Sequence, residues 1–121
     1  MSRPGGLIAW QWATYDRNHR DRLNLVLHFV AVPAFIAGVL SSVRFLTLGL
    51  FVQAAVMLGF AAVAFIVQGL GHKREAEAPI PFEGPLDVIG RIFVEQFITF
   101  PRFVFTGGWA RNLAGQHTDQ H

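Results

Sequence analysis

Charged and apolar positions are segregated along this chain. From Leu23 to Val43 no residue carries a formal charge, Arg44 interrupts, and from Phe45 to Gly71 there is again none. A helix that crosses a bilayer needs roughly 20 predominantly apolar residues. Both runs reach that length, so the pattern predicts spans at about 23–43 and 45–70, joined by a tight hairpin at "LSSVRF". Pro33 falls inside the first run and removes one backbone hydrogen bond, which neighbouring helices can compensate in lipid. The second run carries Gly49, Ala54, Ala55, Gly59, Ala62 and Ala64, small residues that let helices approach closely.

Outside the two runs the pattern changes. "LIAWQWATYDRN" has aromatics suited to a membrane–water boundary and predicts an interfacial helix within residues 7–20. "GHKREAEAPIPFEGP" is polar and rich in proline, and predicts a loop over 71–85. "LDVIGRIFVEQFITFPRFVF" is apolar but charged at Asp87, Arg91, Glu95 and Arg102. It predicts a third helix over about 86–105, which spans, lies in the interface or packs over the hairpin, with Pro101 breaking it. Residues 110–121 read as a loose polar tail. The expected fold class is all-α: one small integral-membrane helical bundle, with two spans and one or two further apolar or interfacial helices.

Composition sharpens this picture. At 52% hydrophobic and 15% charged residues, a 121-residue chain has too little charge to cover a soluble domain. A net charge of +2, with no basic run interleaved with aromatics, argues against nucleic acid. The absence of cysteine removes disulfides, iron–sulfur clusters and thiolate zinc sites, so a metal would need His, Asp or Glu. The first run is not a secretory signal, because it follows more than twenty residues of mixed charge with no evident cleavage site.

Arg17, Arg20 and Arg22 precede the first span, Lys73 and Arg74 follow the second, and Arg44 alone sits at the tip. Positive residues favour the cytoplasmic side. Both open ends of the hairpin are therefore expected there, in a bacterial inner membrane or, in a eukaryote, the endoplasmic reticulum.

The same topology gathers polar residues at one membrane face. Asn24 and His28 stand four apart, as do Gln68 and His72, so each pair shares a helix face. His72 and Glu75 are three apart. His19 and His28 are nine apart, and at roughly 100° per residue they fall on opposite faces of a straight helix. They serve one site only if the chain bends between them, around Arg20–Arg22. Imidazoles with a carboxylate suit Fe, Zn, Cu or Ni. Each residue also has a plainer reading. A histidine near the end of a span ordinarily bonds a neighbouring helix, and Asn24 can do the same. Tyr15, Trp10 and Trp12 suit an interface belt. Lys73, Arg74 and Glu77 suit a solvated loop. Glu95 is in range of Arg91 or Arg102, and His117 and His121 belong to the tail. No Ser-His-Asp or Cys-His pair and no phosphate-binding glycine loop is present.

Taken together, "YDRNHRDRLNLVLHFVAVP" and "QGLGHKREAEAP" resemble the 2-hydroxy fatty acid dioxygenase family, fungal endoplasmic-reticulum membrane proteins of fatty acid α-oxidation with bacterial homologues. The matching positions are Tyr15, His19, Asn24, His28 and Pro33, then Gln68, Gly71, His72, Glu75 and Pro79. Ala31 stands where a glycine is frequent, a change that concerns packing. The resemblance implies an Fe(II)-dependent dioxygenase that converts a 2-hydroxy fatty acid and O2 to a fatty acid one carbon shorter plus CO2. It implies His19, His28 and His72 as ligands and Glu75 as a fourth ligand or as the group orienting one of them. Asn24 and Tyr15 would act at the same site, and Arg20, Arg22 or Lys73 would meet the substrate carboxylate. Iron follows from the resemblance, since the ligand chemistry allows zinc equally. The alternatives are a metal-dependent enzyme acting on another lipid, or a non-enzymatic membrane scaffold or subunit. The partners expected are the fatty acid, O2 and membrane lipid, and the small-residue face is compatible with a homodimer.

Overall fold

The fold is that of a computed structural model, which describes residue 3 and residues 5–116. Among the described residues all regular structure is helical, with no strand. Helix α1 is Gly6–Tyr15, followed by a 3-10 turn at Asp16–Asn18. Helices α2 (Arg22–Thr47) and α3 (Phe51–His72) form a long antiparallel hairpin. A loop leads back to α4 (Pro85–Val94), which passes through a π-helical segment, Glu95–Thr99, into α5 (Phe100–Phe105). Helix α6 is Gly108–Leu113.

Both α2 and α3 are long and apolar enough to cross a membrane, and only 39% and 22% of their most apolar windows are buried within the protein. A core helix of a soluble protein would hide most of that surface. Here Val30, Phe51, Val52, Val56 and Val63 all point outward, as they would toward lipid.

The hairpin turns later than its charge pattern suggests. Arg44 lies in the last turn of α2, and the reversal falls at Leu48–Leu50. Gly49 is left-handed there (φ 73°). The Leu50 N–H reaches Phe45 O at 2.9 Å and the Gly49 N–H reaches Leu46 O at 3.1 Å, the paired bonds of a Schellman stop. From this tip the helices lie close. A methyl group on Gly38 would stand 3.0 Å from both Ala61 Cβ and Met57 O. Ala54, Ala61 and Ala64 are buried against α2 in the same way, so these small residues serve the hairpin itself.

Pro101 does not break the third helix. A proline ring collides with the carbonyl four residues back in an α-helix. The π segment widens the turn just before it, with the Phe100 N–H bonded to Glu95 O, and the helix passes on into α5. The segment expected to be loose from residue 110 instead includes most of α6. Trp109 Nε1 donates to Leu25 O at 2.8 Å, and buried Asn112 donates through Nδ2 to Asp16 O and His19 O at 3.0 and 2.8 Å. Tyr15, Leu25, Val32, Phe100 and Phe103 form the core that joins α1, α2 and α5. His117 and His121 lie outside the described residues.

Candidate metal centre

Four segments bring side chains to the open end of the hairpin. The chain leaves α1 through the 3-10 turn, His19 leaves the helical conformation (φ −137°, ψ 66°), and α2 starts from extended Asp21 (ψ 130°). This bend lies between His19 and His28 and lets both face the same point. His72 arrives as the last residue of α3, and Glu95 as the first residue of the π segment. One potential ligand atom from each of His19, His28, His72 and Glu95 lies within 4.8 Å of all the others. Atoms of these types, gathered that closely, could hold a metal ion.

The hydrogen bonds around the rings bear on that fit. His19 Nδ1 is 2.8 Å from Tyr15 O, and His28 Nδ1 is 3.1 Å from Asn24 O. A carbonyl only accepts, so each Nδ1 donates and each neutral ring presents a lone pair on Nε2, the arrangement usual for metal-bound histidine. Burial pushes the His19 imidazole below its ordinary value despite Glu95 nearby, which favours the neutral ring. Nε2 of His19 and of His28 is buried without a hydrogen-bond partner, and so is Nδ1 of His72. The two Nε2 atoms face Glu95 Oε2 at 3.4 and 3.6 Å. Lone pairs confronting a carboxylate oxygen repel, and each unsatisfied buried acceptor costs about 1–3 kcal/mol. A cation among these four atoms relieves the repulsion and satisfies all of them, so the residues fit a metal.

Tyr15 stacks on His19 (3.8 Å between centroids, 21°) and its hydroxyl donates to Glu95 Oε2 at 2.7 Å. Burial, and then the Glu95 charge, pushes its phenol well above the ordinary value, so it stays a donor.

Glu75 is elsewhere. Its carboxylate accepts from Arg20 N at 2.8 Å, from Asp21 N at 3.1 and 3.0 Å, and from Asn24 Nδ2 at 2.6 Å. It ties the bend before α2 to the end of α3, and through Asn24 it supports the residue whose carbonyl orients His28. The carboxylate beside the imidazoles is Glu95, which the sequence pattern suggested would pair with Arg91 or Arg102. Arg91 instead donates to Ile80 O and Pro81 O at 2.6 and 3.1 Å, and Arg102 lies 4.1 Å over the Trp12 ring. A signal is present in the sequence: "EQ" places two adjacent polar residues in a greasy stretch, although α-helical spacing also offers Glu95 a partner in Arg91.

Buried Gln68 and Gln96 exchange both amide bonds, at 2.8 and 2.7 Å, and clamp α3 to the π segment. Thr99 donates to Gln11, whose Nε2 reaches Arg91 O at 3.1 Å, so α1 is fastened to the same segment. Gly71 is needed where it is, since a Cβ there would collide with Asn24 Oδ1. Beside the cluster lies a cavity of about 200 Å³, reaching from His19, His72 and Glu95 to Trp10, Phe82 and Arg91. Arg22 and Lys73 are exposed, and neither they nor Arg20 lines it.

A family model described as "2-hydroxy-palmitic acid dioxygenase Mpo1-like" matches residues 7–102, a stretch that contains all four residues of the cluster. No curated protein and no solved structure matches the chain.

Proposed function

The chain belongs to the Mpo1-like family, and on that premise we propose that it is a membrane-embedded, Fe(II)-dependent dioxygenase that shortens a 2-hydroxy fatty acid by one carbon. The observation that carries this reading is the set of three buried, partnerless imidazole nitrogens gathered around one part-buried carboxylate. A scaffold that used its histidines only to join helices would have paired them.

His19, His28, His72 and Glu95 would hold the metal. Bound iron supplies the O2-activating redox chemistry. The balance is one 2-hydroxy acid and one O2 giving the shorter acid, CO2 and water: the C1–C2 bond breaks, C2 is oxidised to a carboxyl group, and O2 is the oxidant. Tyr15 fixes Glu95 through its hydroxyl and keeps its own proton. Asn24, braced by Glu75, sets the His28 ring so that Nε2 faces inward. Phe65, Ile92 and Pro79 wall the cavity and keep bulk water from the reacting carbon. In this reading helices α2 and α3 cross the bilayer, and the flanking arginines and Lys73 support a centre on the cytoplasmic side.

The test is elemental analysis of protein purified in detergent without a histidine tag, followed by anaerobic Fe(II) loading and oxygen uptake with 2-hydroxypalmitate. One O2 consumed and one CO2 released per acid is the expected result. Bound zinc with no oxygen uptake would keep the centre and discard the dioxygenase.

A further inference from the structure

The cavity has a polar end and an apolar end. His19, His72 and Glu95 close the first. The lining residues that are also exposed, and so bound its mouth, are Gly69, Ile80 and Phe82. None carries a charge. Ile80 and Phe82 are 44% and 46% exposed, and Ile66 and Leu70, beside Gly69 on α3, are 60% and 56% exposed. A mouth that opened to water would leave this surface unfavourably hydrated. One that opened into the acyl layer of a bilayer would not. Gly69 itself leaves the gap, because a Cβ built on it meets no atom within 4 Å. Across from it, the Ile80–Pro81 backbone is held in place by the buried Arg91 guanidinium, which rests against the Phe82 ring at 4.4 Å.

Resting on the dioxygenase reading for the identity of its occupant, we propose that this opening is the acyl-chain port. The carboxyl end of the fatty acid lies at the metal cluster. The hydrocarbon tail passes over Gly69, between α3 and the Ile80–Phe82 strap, and runs out along Ile66 and Leu70 into the bilayer. The substrate then enters sideways from the membrane, and Gly69 decides whether a long chain is admitted.

The experiment compares Gly69→Trp with Gly59→Trp in detergent-solubilised, metal-loaded protein. Gly59 also has open space around its Cβ position but lies away from the cavity. Binding of radiolabelled 2-hydroxypalmitate is measured by equilibrium dialysis, beside metal content and oxygen uptake with 2-hydroxypalmitate and 2-hydroxybutyrate. Gly69→Trp should weaken long-chain binding at least tenfold, keep its metal, and change turnover of the four-carbon acid less than twofold. Gly59→Trp should match the unaltered protein. Equal loss for both chain lengths, unchanged binding in Gly69→Trp, or no long-chain binding by the unaltered protein overturns the port. If the unaltered protein binds the acid without consuming oxygen and Gly69→Trp abolishes that binding, the port stands and the dioxygenase falls. Displacement of the acid by added phosphatidylcholine would assign the opening to a bilayer lipid and overturn the proposal.

Discussion

In one half of the α2–α3 hairpin Gly38 meets Ala61 at contact distance; in the other, Asn24, His28, Gln68 and His72 fill the same seam. The first half uses close backbone approach and needs almost no polar group beyond the Ser42 hydroxyl bonded to Ala54 O at 2.8 Å. The second depends on side chains contributed from outside the hairpin: Glu95, Gln96, Tyr15 and Asn112. Packing in lipid is secured locally by shape, whereas buried polar groups must be satisfied completely and so draw in the rest of the chain. The fold around the hairpin's open end exists largely to complete that satisfaction.

The sharpest way to break the contrast is to remove a carboxylate on either side of the cluster. Glu95→Ala should reduce metal content from near stoichiometric to below about a tenth, in line with loss of a ligand. Glu75→Ala, which only loosens the bend and Asn24, should weaken metal affinity about tenfold, as for other groups that orient a ligand. Elemental analysis at graded metal concentrations separates the two, and equal losses would return Glu75 to the ligand set. Next comes the glutamine clamp. Gln68→Leu leaves the Gln96 amide buried and unpaired and should cost about 2 kcal/mol in detergent unfolding, while the double Gln68→Leu/Gln96→Leu change should recover most of it. A double variant as weak as the sum of the singles would show that the amides do more than satisfy each other.

On the apolar side, Gly38→Val should cost about 1–3 kcal/mol by forcing the helices apart and leave metal content unaltered; lost metal would mean the two halves are coupled. The smallest effect is at the rim. Asp87 accepts from Glu83 N at 2.9 Å and pairs with Arg3 at 2.8 Å, and the Glu83 N–H and then the Arg3 charge, outweighing some desolvation, hold its carboxyl below the ordinary 3.8. Its contribution is therefore full above that value and fades as pH falls through the lower, folded one. Melting curves from pH 6 down to 2 should converge for the unaltered protein and Asp87→Asn only at the acidic end.

Much of this was legible in the sequence because long apolar helices advertise themselves by length and the absence of charge. A bend around Arg20–Arg22 followed from a demand, because two histidines nine apart could share a site in no other way, and the chain turns at His19–Asp21. Glu95 was not legible, because its partners lie 67 residues or more away from it for His19 and His28, and at a similar polar end of α3 for His72, while a nearer arginine satisfied the helical spacing rule. The helical ending was missed for a related reason. Trp109 and Asn112 sit on one face of a short polar helix whose stability comes from donating to carbonyls at the start of α2 and the turn before it, and nothing local in "GGWARNLAGQ" records those carbonyls. Pro101 misled because an α-helical rule was applied to a helix that widens just ahead of it.

The placement of Glu95 on the π segment has a consequence in biosynthetic time. The ribosome releases His19, His28 and His72 first, and the hairpin with the turn before it carries three imidazoles before Glu95 is made. The carboxylate is translated later, on a helix that must fold back before it can join them. A metal captured at that moment would act as a latch on the last third of the chain, so that maturation of the centre and completion of the fold become one event.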